Sequence, residues 1–242
     1  MRLQTIEALL KSEGLTEVEN TGTGMPAFSG LSTPRRVLKG RTKNISTLTE
    51  LCRALNINYC DMTEEMLRFI KTGADNPQLP ADPTELGSLP VERFSQLEIP
   101  VADFQETDRF QIHRAHCTGA KAFRNGGPRN DWVWVQTGEE TNYVDLRGHA
   151  VARLLALFKI RNVLSEAAGV QRLALVRVLD PAGGGRFQMA SGHIRVGKRL
   201  SGRDMRIVSI SAVIGQAHII PSRETQWIVN HRIDLLTFNE IY

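Results

Sequence analysis

Short segments rich in β-branched and aromatic residues, separated by Gly or Pro, dominate the chain after about residue 108. Segments of this kind predict several short strands that form a small barrel or sandwich. Segment 151–160 fits a strand and also a helical stripe; we favour the strand because its apolar positions alternate with Arg153 and Lys159. The predicted strands are 110–113, 132–136, 151–160, 172–179, 188–196, 206–210 and 227–229.

Helical spacing characterises the first part of the chain instead. Apolar residues recur every three to four positions in 2–12 and predict a short amphipathic helix. A helix pair is predicted within 46–73, because Thr47 and Glu50 have the spacing of a capping box and Gly73 is a typical end of a helix. Two short helices joined by a tight turn resemble a helix-turn-helix. We favour a purely structural hairpin, because Asp61, Glu64 and Glu65 of the second helix would repel phosphate in a DNA groove.

Two stretches have the composition of linkers. Residues 19–34 are rich in Gly, Thr, Ser and Pro, and residues 74–100 contain five prolines, with one or two helical turns predicted in 91–97. The predicted fold class is therefore α+β, a small helical N-terminal part followed by a β-rich small barrel. The predicted domains are a flexible N-terminal segment 1–34, a basic helical hairpin 35–73, a Pro-rich linker 74–107 and a β-rich, Arg-rich barrel domain 108–242.

Aromatic residues offer both a core and a binding surface. Trp132 and Trp134 lie two positions apart and so share one face of a strand. With Tyr143 or Trp227 nearby, they could hold a methylammonium group by cation–π attraction, but packing in the core is the favoured interpretation. The predicted core of the barrel consists of Trp132, Val133, Trp134, Leu155, Leu175, Val208, Ile210 and Trp227.

Composition excludes several classes of protein. With 242 residues, 41% of them hydrophobic, the chain is long enough to bury a core without metal or disulfide bonds. No apolar run approaches the ~18 residues that a membrane span needs, so we expect no membrane association. Three cysteines without metal-like spacing fit a reducing compartment rather than a disulfide scaffold.

Positive charge is concentrated in the second part of the chain. Residues 1–105 contain 11 Lys and Arg against 14 Asp and Glu, whereas residues 106–242 contain 19 against 12, and most of the 19 are Arg. This asymmetry suggests a polyanionic partner, with an ordinary solvated surface as the alternative. The candidate nucleic-acid-binding residues are Arg35, Arg36, Lys39, Arg41 and Lys43 before the helix pair, and Lys198, Arg199 and Arg203 in a predicted turn.

Five short strings between 35 and 242 have a recognisable wording: RVLKG at 36–40, NISTL at 44–48, RNDWVWV at 129–135, AHIIP at 217–221 and WIVNHRIDL at 227–235. These strings resemble the C-terminal region of fungal Plavaka-type transposase-like proteins, of the Kyakuja–Dileera–Zisupton class. From residue 130 onward, the chain is also loosely similar to a bromo-adjacent homology domain, a β-rich chromatin module.

The resemblance implies a fungal protein that works in the nucleus on DNA or chromatin. It also implies that the catalytic core of the ancestral transposase is missing from residues 35–242. We therefore predict non-catalytic binding of DNA or of a chromatin protein by a domain derived from a transposase. The alternatives are a remnant DNA-processing transposase that needs a divalent metal, and a remnant with no selected activity.

Chemical motifs that would support catalysis are weak. A metal-dependent nuclease needs carboxylates on neighbouring strands; Asp180 ends a predicted strand, and Asp234 and Glu240 could join it, but a turn is the simpler role for Asp180. The His and Cys residues of 113–117 lack a second ligand pair at zinc-finger spacing. No nucleophile elbow or phosphate-binding loop is present. We accordingly assign no catalytic residue, no metal ligand and no cofactor.

Overall fold

The computed structural model describes ten stretches of the chain, all within one compact unit, Pro34–Tyr242. The predicted helix at 2–12 and the whole of the predicted segment 1–34 lie outside the described residues, and the predicted boundaries at 73 and 107 fall inside this unit. The described stretches are 35–42, 45–73, 83–102, 110–118, 129–136, 149–161, 170–181, 194–198, 204–223 and 226–229.

Strands form most of the described structure, with three α-helices beside them. The strands are β1 (Val37–Thr42), β2 (Val91–Ala102), β3 (Phe110–His116), β4 (Trp132–Gln136), β5 (His149–Arg161), β6 (Val170–Pro181), β7 (Ile194–Lys198), β8 (Met205–Ser209), β9 (Val213–Gln216), β10 (Ile219–Arg223) and β11 (Gln226–Val229). The helices are α1 (Leu48–Leu55), α2 (Tyr59–Gly73) and α3 (Pro83–Gly87). No helix in the described part is long and apolar enough to cross a membrane.

The strands form an open antiparallel sheet, so the predicted closed barrel is wrong. The main path runs β1-β2-β5-β6-β7-β11-β10, with β3 paired to β2, β4 to β5, β9 to β4 and β8 to β6. A barrel needs its first and last strands to pair, and no pairing among the described strands joins β1 to β10. The sheet branches instead, because one edge of β2 pairs with β5 at 91–94 and with β3 at 96–102.

The strand β2 corrects the interpretation of 91–97 as helical turns within a linker. Val91–Ala102 is a strand with three neighbours in the middle of the sheet. The prolines that suggested a linker flank or end this strand: Pro90 precedes it, and Pro100 lies opposite Ile112 near its end. Proline is tolerated at such positions because few ladder hydrogen bonds are lost there.

A β-bulge in β5 determines which side chains share a face. The register of β5 with β6 shifts between Leu154 and Ala156, so Leu154 and Leu157 point to the same side although three positions separate them. We call this side, which also carries Ala174 of β6, the inner face, and the opposite side the outer face. In a strand without a bulge, Arg153 and Lys159 would lie on the same face, because an even number of positions separates them. The bulge places them on opposite faces.

The helices pack on part of the outer face. Leu48 and Leu51 of α1 and Met66 of α2 are buried against outer-face residues such as Phe158 and Leu173. A second apolar cluster, built around Trp134, Val151, Leu179, Val196 and Val229, brings β7 and β11 against another part of the same face. The inner face packs against β3, β4 and β9.

The helix pair itself is present where the capping pattern predicts it. Thr47 caps α1 and forms a capping box with Glu50, and Asn56 ends the helix in the left-handed conformation. A separate helical N-terminal part is nevertheless not confirmed, because β1 occupies residues 37–42 of the predicted hairpin and both helices pack on the sheet.

Most of the predicted strands are confirmed, and the predicted core is confirmed in part. Segment 151–160 is a strand, and of the segment 188–196 only 194–196 is described and lies in β7. Val133, Trp134, Leu175 and Ile210 are buried. The other four predicted core residues are only partly buried; these are Trp132, Leu155, Val208 and Trp227.

Candidate nucleic-acid interface

The first predicted group of basic residues lies on and beside the edge strand β1 and not at the entrance to a DNA-reading helix. Arg35 is exposed just before the strand, whereas the Nε of Arg36 donates a hydrogen bond of 2.8 Å to the carbonyl oxygen of Val213. Arg36 therefore joins β1 to β9 and has a structural role. Lys39 and Arg41 extend from β1 and form ion pairs, and Lys43 lies outside the described residues.

The second predicted group is mostly beyond the described structure. The backbone of Lys198 ends β7, and its side chain is not described. Arg199 and Arg203 lie outside the described residues. The proximity of these three cations therefore stays a prediction from the sequence.

A different set of cations comes together at one end of the inner face, on four adjacent strands. Arg41 of β1 is 64% exposed in its side chain and lies 3.3 Å from Glu92 of β2. Glu92 is the register partner of Lys159 on β5, and Lys159 is the register partner of Arg172 on β6. Arg161 lies two residues beyond Lys159 on the same face. We call Arg41, Lys159, Arg161 and Arg172 the basic cluster.

The four cations of the basic cluster and the adjacent carboxylate of Glu92 carry a net charge of +3. Among the described residues, Lys159, Arg161 and Arg172 have no ion-pair partner, although the Lys159 ammonium lies 4.8 Å from the ring centre of Phe94. Lys159 and Arg172 are directly opposite each other, and like charges in that position destabilise a sheet. This end of the inner face therefore carries a concentrated positive charge that the described carboxylates do not neutralise.

A smaller charged group lies on β1, β2 and β3. Glu98 is shared by Lys39 at 3.7 Å and by Arg114 at 3.5 Å. Two exposed aliphatic side chains adjoin it: Val37 pairs with Glu98 in the register, and Ile112 lies on the same face of β3 as Arg114. One carboxylate neutralises much of this group, so its attraction for a polyanion is weaker than that of the basic cluster.

The predicted aromatic site has a different arrangement from a methylammonium cage. The rings of Trp132 and Trp227 are 5.4 Å apart and tilted by 50°, whereas Trp134 is buried and Tyr143 lies outside the described residues. The guanidinium of Arg153 lies 5.9 Å from the ring centre of Trp132. The protein's own cation therefore already contacts the ring that a methylammonium ligand would use.

Carboxylates are not gathered into a metal site in the described structure. No group of three His, Cys, Asp or Glu residues among the described ones is placed to hold a metal ion. Asp180 lies near the end of β6, and Asp234 and Glu240 are outside the described residues. The convergence of these three carboxylates therefore stays untested.

The titratable side chains near the end of β3 form a local hydrogen-bond network around Asp131. Asp131 accepts hydrogen bonds from the backbone N–H of His116 at 2.9 Å and from the Nε of Arg129 at 2.8 Å, and it lies 3.0 Å from the Nδ1 of His116. Burial opposes the charged form of Asp131, but these hydrogen bonds outweigh it and lower the pKa of the carboxyl. The adjacent thiol of Cys117 has the opposite shift, since burial raises its pKa to about 12. A thiol of that pKa is a poor nucleophile at neutral pH.

Three members of the basic cluster were not selected from the sequence. Lys159, Arg161 and Arg172 are separated along the chain from Arg41, and only the antiparallel register brings them together. The alternation in 151–160 identified Lys159 as a residue on a strand face. It carried no information about the strand that would lie opposite.

Comparison with known proteins does not indicate a function for this chain. No protein-family model, no curated protein and no solved structure matches the chain. The resemblance to Plavaka-type transposase-like proteins therefore stays a prediction.

Proposed function

We propose that this protein is a non-catalytic nucleic-acid-binding protein whose basic cluster contacts the phosphate backbone. The single observation that carries the proposal is the pair Lys159 and Arg172, two directly opposed cations, neither of which forms an ion pair with a described residue. Phosphate contacts by Lys and Arg dominate the affinity of proteins for nucleic acids and release counterions. Such contacts would relieve the repulsion between these two side chains.

The resemblance extends the proposal to origin and location. A domain derived from the C-terminal region of a fungal transposase would act in the nucleus, on DNA or on chromatin. Sequence-independent binding fits the site, because the basic cluster offers cations for phosphates, and phosphate contacts carry no sequence information. A partner protein of chromatin remains the second choice, since Arg153 already contacts the ring of Trp132 in the aromatic group.

The experiment measures binding of fluorescently labelled duplex DNA by anisotropy at several salt concentrations. The test variant, Lys159→Gln/Arg172→Gln, removes two cations from the basic cluster. The matched control, Arg53→Gln/Lys71→Gln, removes two exposed cations from the ends of α1 and α2. We expect the slope of log K against log salt to fall by about 1.8 in the test variant, because each phosphate contact contributes about 0.9. The control should keep the slope of the unmodified protein.

Further outcomes separate the two basic regions. A third variant, Lys198→Gln/Arg199→Gln/Arg203→Gln, measures how much the three cations of the predicted turn contribute to the slope of log K against log salt. If the full chain does not bind DNA at low salt, or if the test variant binds like the control variant, the proposed role of the basic cluster is wrong. A slope that changes only in the third variant would move the interface to the turn.

A further inference from the structure

Two arginines lie side by side on the outer face, between the areas that the helices and the second apolar cluster cover. Along β6 the outer-face residues are Leu173 and Leu175 beneath the helices, then Arg177, then Leu179 in the cluster with Val196. Arg177 is the register partner of Arg153 on β5. The pair therefore interrupts an otherwise apolar row, at the position where neither covering layer supplies an apolar partner.

Only one carboxylate serves these two guanidinium groups in the described structure. The Nε of Arg177 lies 2.9 Å from Oδ2 of Asp204. Arg153 forms no hydrogen bond or ion pair with a described residue, its Nε is buried, and its guanidinium lies beside the ring of Trp132. A half-buried guanidinium without an acceptor, opposite a second guanidinium, is unfavourable both in desolvation and in repulsion.

An oxyanion between the two guanidinium groups would remove both penalties. Arginine presents planar, forked donors that match the oxygens of a phosphate group, and two arginines on adjacent strands can bind the same group from two sides. The Cβ atoms of directly opposed residues are about 5 Å apart, so both side chains can reach one ligand. Trp132, opposite Arg153 on β4, completes the site as a flat apolar wall.

We propose that Arg153 and Arg177 form a phosphate-binding site on the outer face, with Trp132 beside it. This site is separate from the basic cluster, because the bulge in β5 places Arg153 and Lys159 on opposite faces. The ligand is a phosphate group, either of a small phosphate ester or of a nucleic-acid backbone. The proposal goes beyond nucleic-acid binding by the basic cluster and does not depend on it.

The test uses the full chain and its own tryptophan fluorescence. Inorganic phosphate is added at constant ionic strength, with chloride as the replaced anion, and the emission is followed to saturation. We expect a saturable change, because a phosphate held by Arg153 alters the cation beside Trp132. Arg153→Gln should weaken phosphate binding about tenfold or more, and Arg153→Lys should weaken it as well, since lysine keeps the charge and loses the fork. The control Arg53→Gln, which removes an exposed cation at the end of α1 and outside both proposed sites, should bind phosphate like the unmodified chain.

Two further arms make the outcome decisive. Phosphate should raise the melting temperature of the unmodified chain and not that of Arg153→Lys, which retains the positive charge. A short single-stranded oligonucleotide that gives the same emission change, and that phosphate displaces, would identify the backbone as the source; a response to phosphate and sugar phosphates alone would identify a small ester. No saturable response in the unmodified chain, or an equal response in Arg153→Gln, would overturn the proposal. Lys159→Gln/Arg172→Gln tests the basic cluster by the salt dependence of DNA binding, whereas Arg153→Gln tests the outer-face site by the response to phosphate, so failure of one site is distinguishable from failure of the other.

Discussion

Lys159 on β5 lies directly opposite Arg172 on β6, on the face of the sheet that the helices do not cover. Sheets avoid like charges in this position, and an opposite-charge pair contributes roughly 0.2–1 kcal/mol there. Folding would therefore favour a carboxylate at one of these two positions, whereas binding of a polyanionic ligand favours a cation at both.

Arg172→Glu tests this separation directly. The substitution places a carboxylate opposite Lys159, so we expect the free energy of unfolding in urea to rise by about 0.2–1 kcal/mol. The same substitution should weaken DNA binding, because it replaces an attractive contact with a repulsive one. Lys71→Glu, which reverses a charge on α2, is the control and should leave DNA binding nearly unchanged. A loss of both stability and binding in Arg172→Glu would show that Arg172 has a structural role.

A buried carboxylate joins α2 to the sheet. Oε1 of Glu65 lies 3.3 Å from Nη1 of Arg206 on β8 and 3.3 Å from Nη1 of Arg68, and the Glu65 side chain is only 2% exposed. Glu65 is one of the acidic residues that disfavour insertion of α2 into a DNA groove. Its ion pair with Arg206 shows that it instead helps to hold α2 on the sheet.

Glu65→Gln should destabilise the protein by about 3 kcal/mol, because it removes the negative charge that pairs with the guanidinium of Arg206 at a largely desolvated site. Arg68→Gln is the matched control from the same group. Arg68 is 45% exposed, so its loss should cost less than about 1 kcal/mol. Urea denaturation of both variants measures the difference, and equal effects would contradict the assignment of Arg206 as the main partner.

The pH dependence of stability should report on Asp131. Burial opposes ionisation of this carboxyl, yet the hydrogen bonds from Arg129 and His116 lower its pKa in the folded state. A lowered folded-state pKa stabilises the fold above the ordinary pKa of the group, and this stabilisation disappears as the pH falls through the lowered value. Asp131→Asn should therefore cost about 1–3 kcal/mol at pH 7 and progressively less below about pH 4. A difference between the two proteins that stays constant from pH 7 to pH 3 would contradict this role.

Local rules predicted the elements that depend on neighbouring residues. The capping box of Thr47 and Glu50 is present, and the alternation around Arg153 and Lys159 correctly indicated a strand. The same alternation gave the wrong faces, because a bulge adds one residue between Leu154 and Ala156. A bulge of this kind depends on pairing with a distant strand and has no reliable signal within a ten-residue window.

The features that were not predicted depend on pairing between strands that are distant along the chain. The prolines around 91–102 are compatible with a strand because Pro90 precedes it and Pro100 lies near its end, a distinction that composition does not make. The closed barrel was expected from strand number and spacing, but closure depends on which strands become the edges. The basic cluster likewise required the registers of β2 with β5 and of β5 with β6, so Arg41 was selected without its neighbours Lys159 and Arg172.

The two tryptophans of β4 should differ in their contribution to stability. Trp134 is 2% exposed in the cluster with Val151 and Leu179, whereas Trp132 is only partly buried and is covered on the outside by Trp227 and Arg153. Trp134→Ala should cost about 3–5 kcal/mol, because it removes a buried ring and leaves a cavity in this apolar cluster. Trp132→Ala should cost about 1–2 kcal/mol, since its ring loses less apolar burial and an aromatic contact. Urea denaturation monitored by circular dichroism measures the change in the free energy of unfolding for both variants. Equal costs for the two substitutions would mean that Trp132 is as much a core residue as Trp134, and would remove the flat wall from the proposed phosphate site.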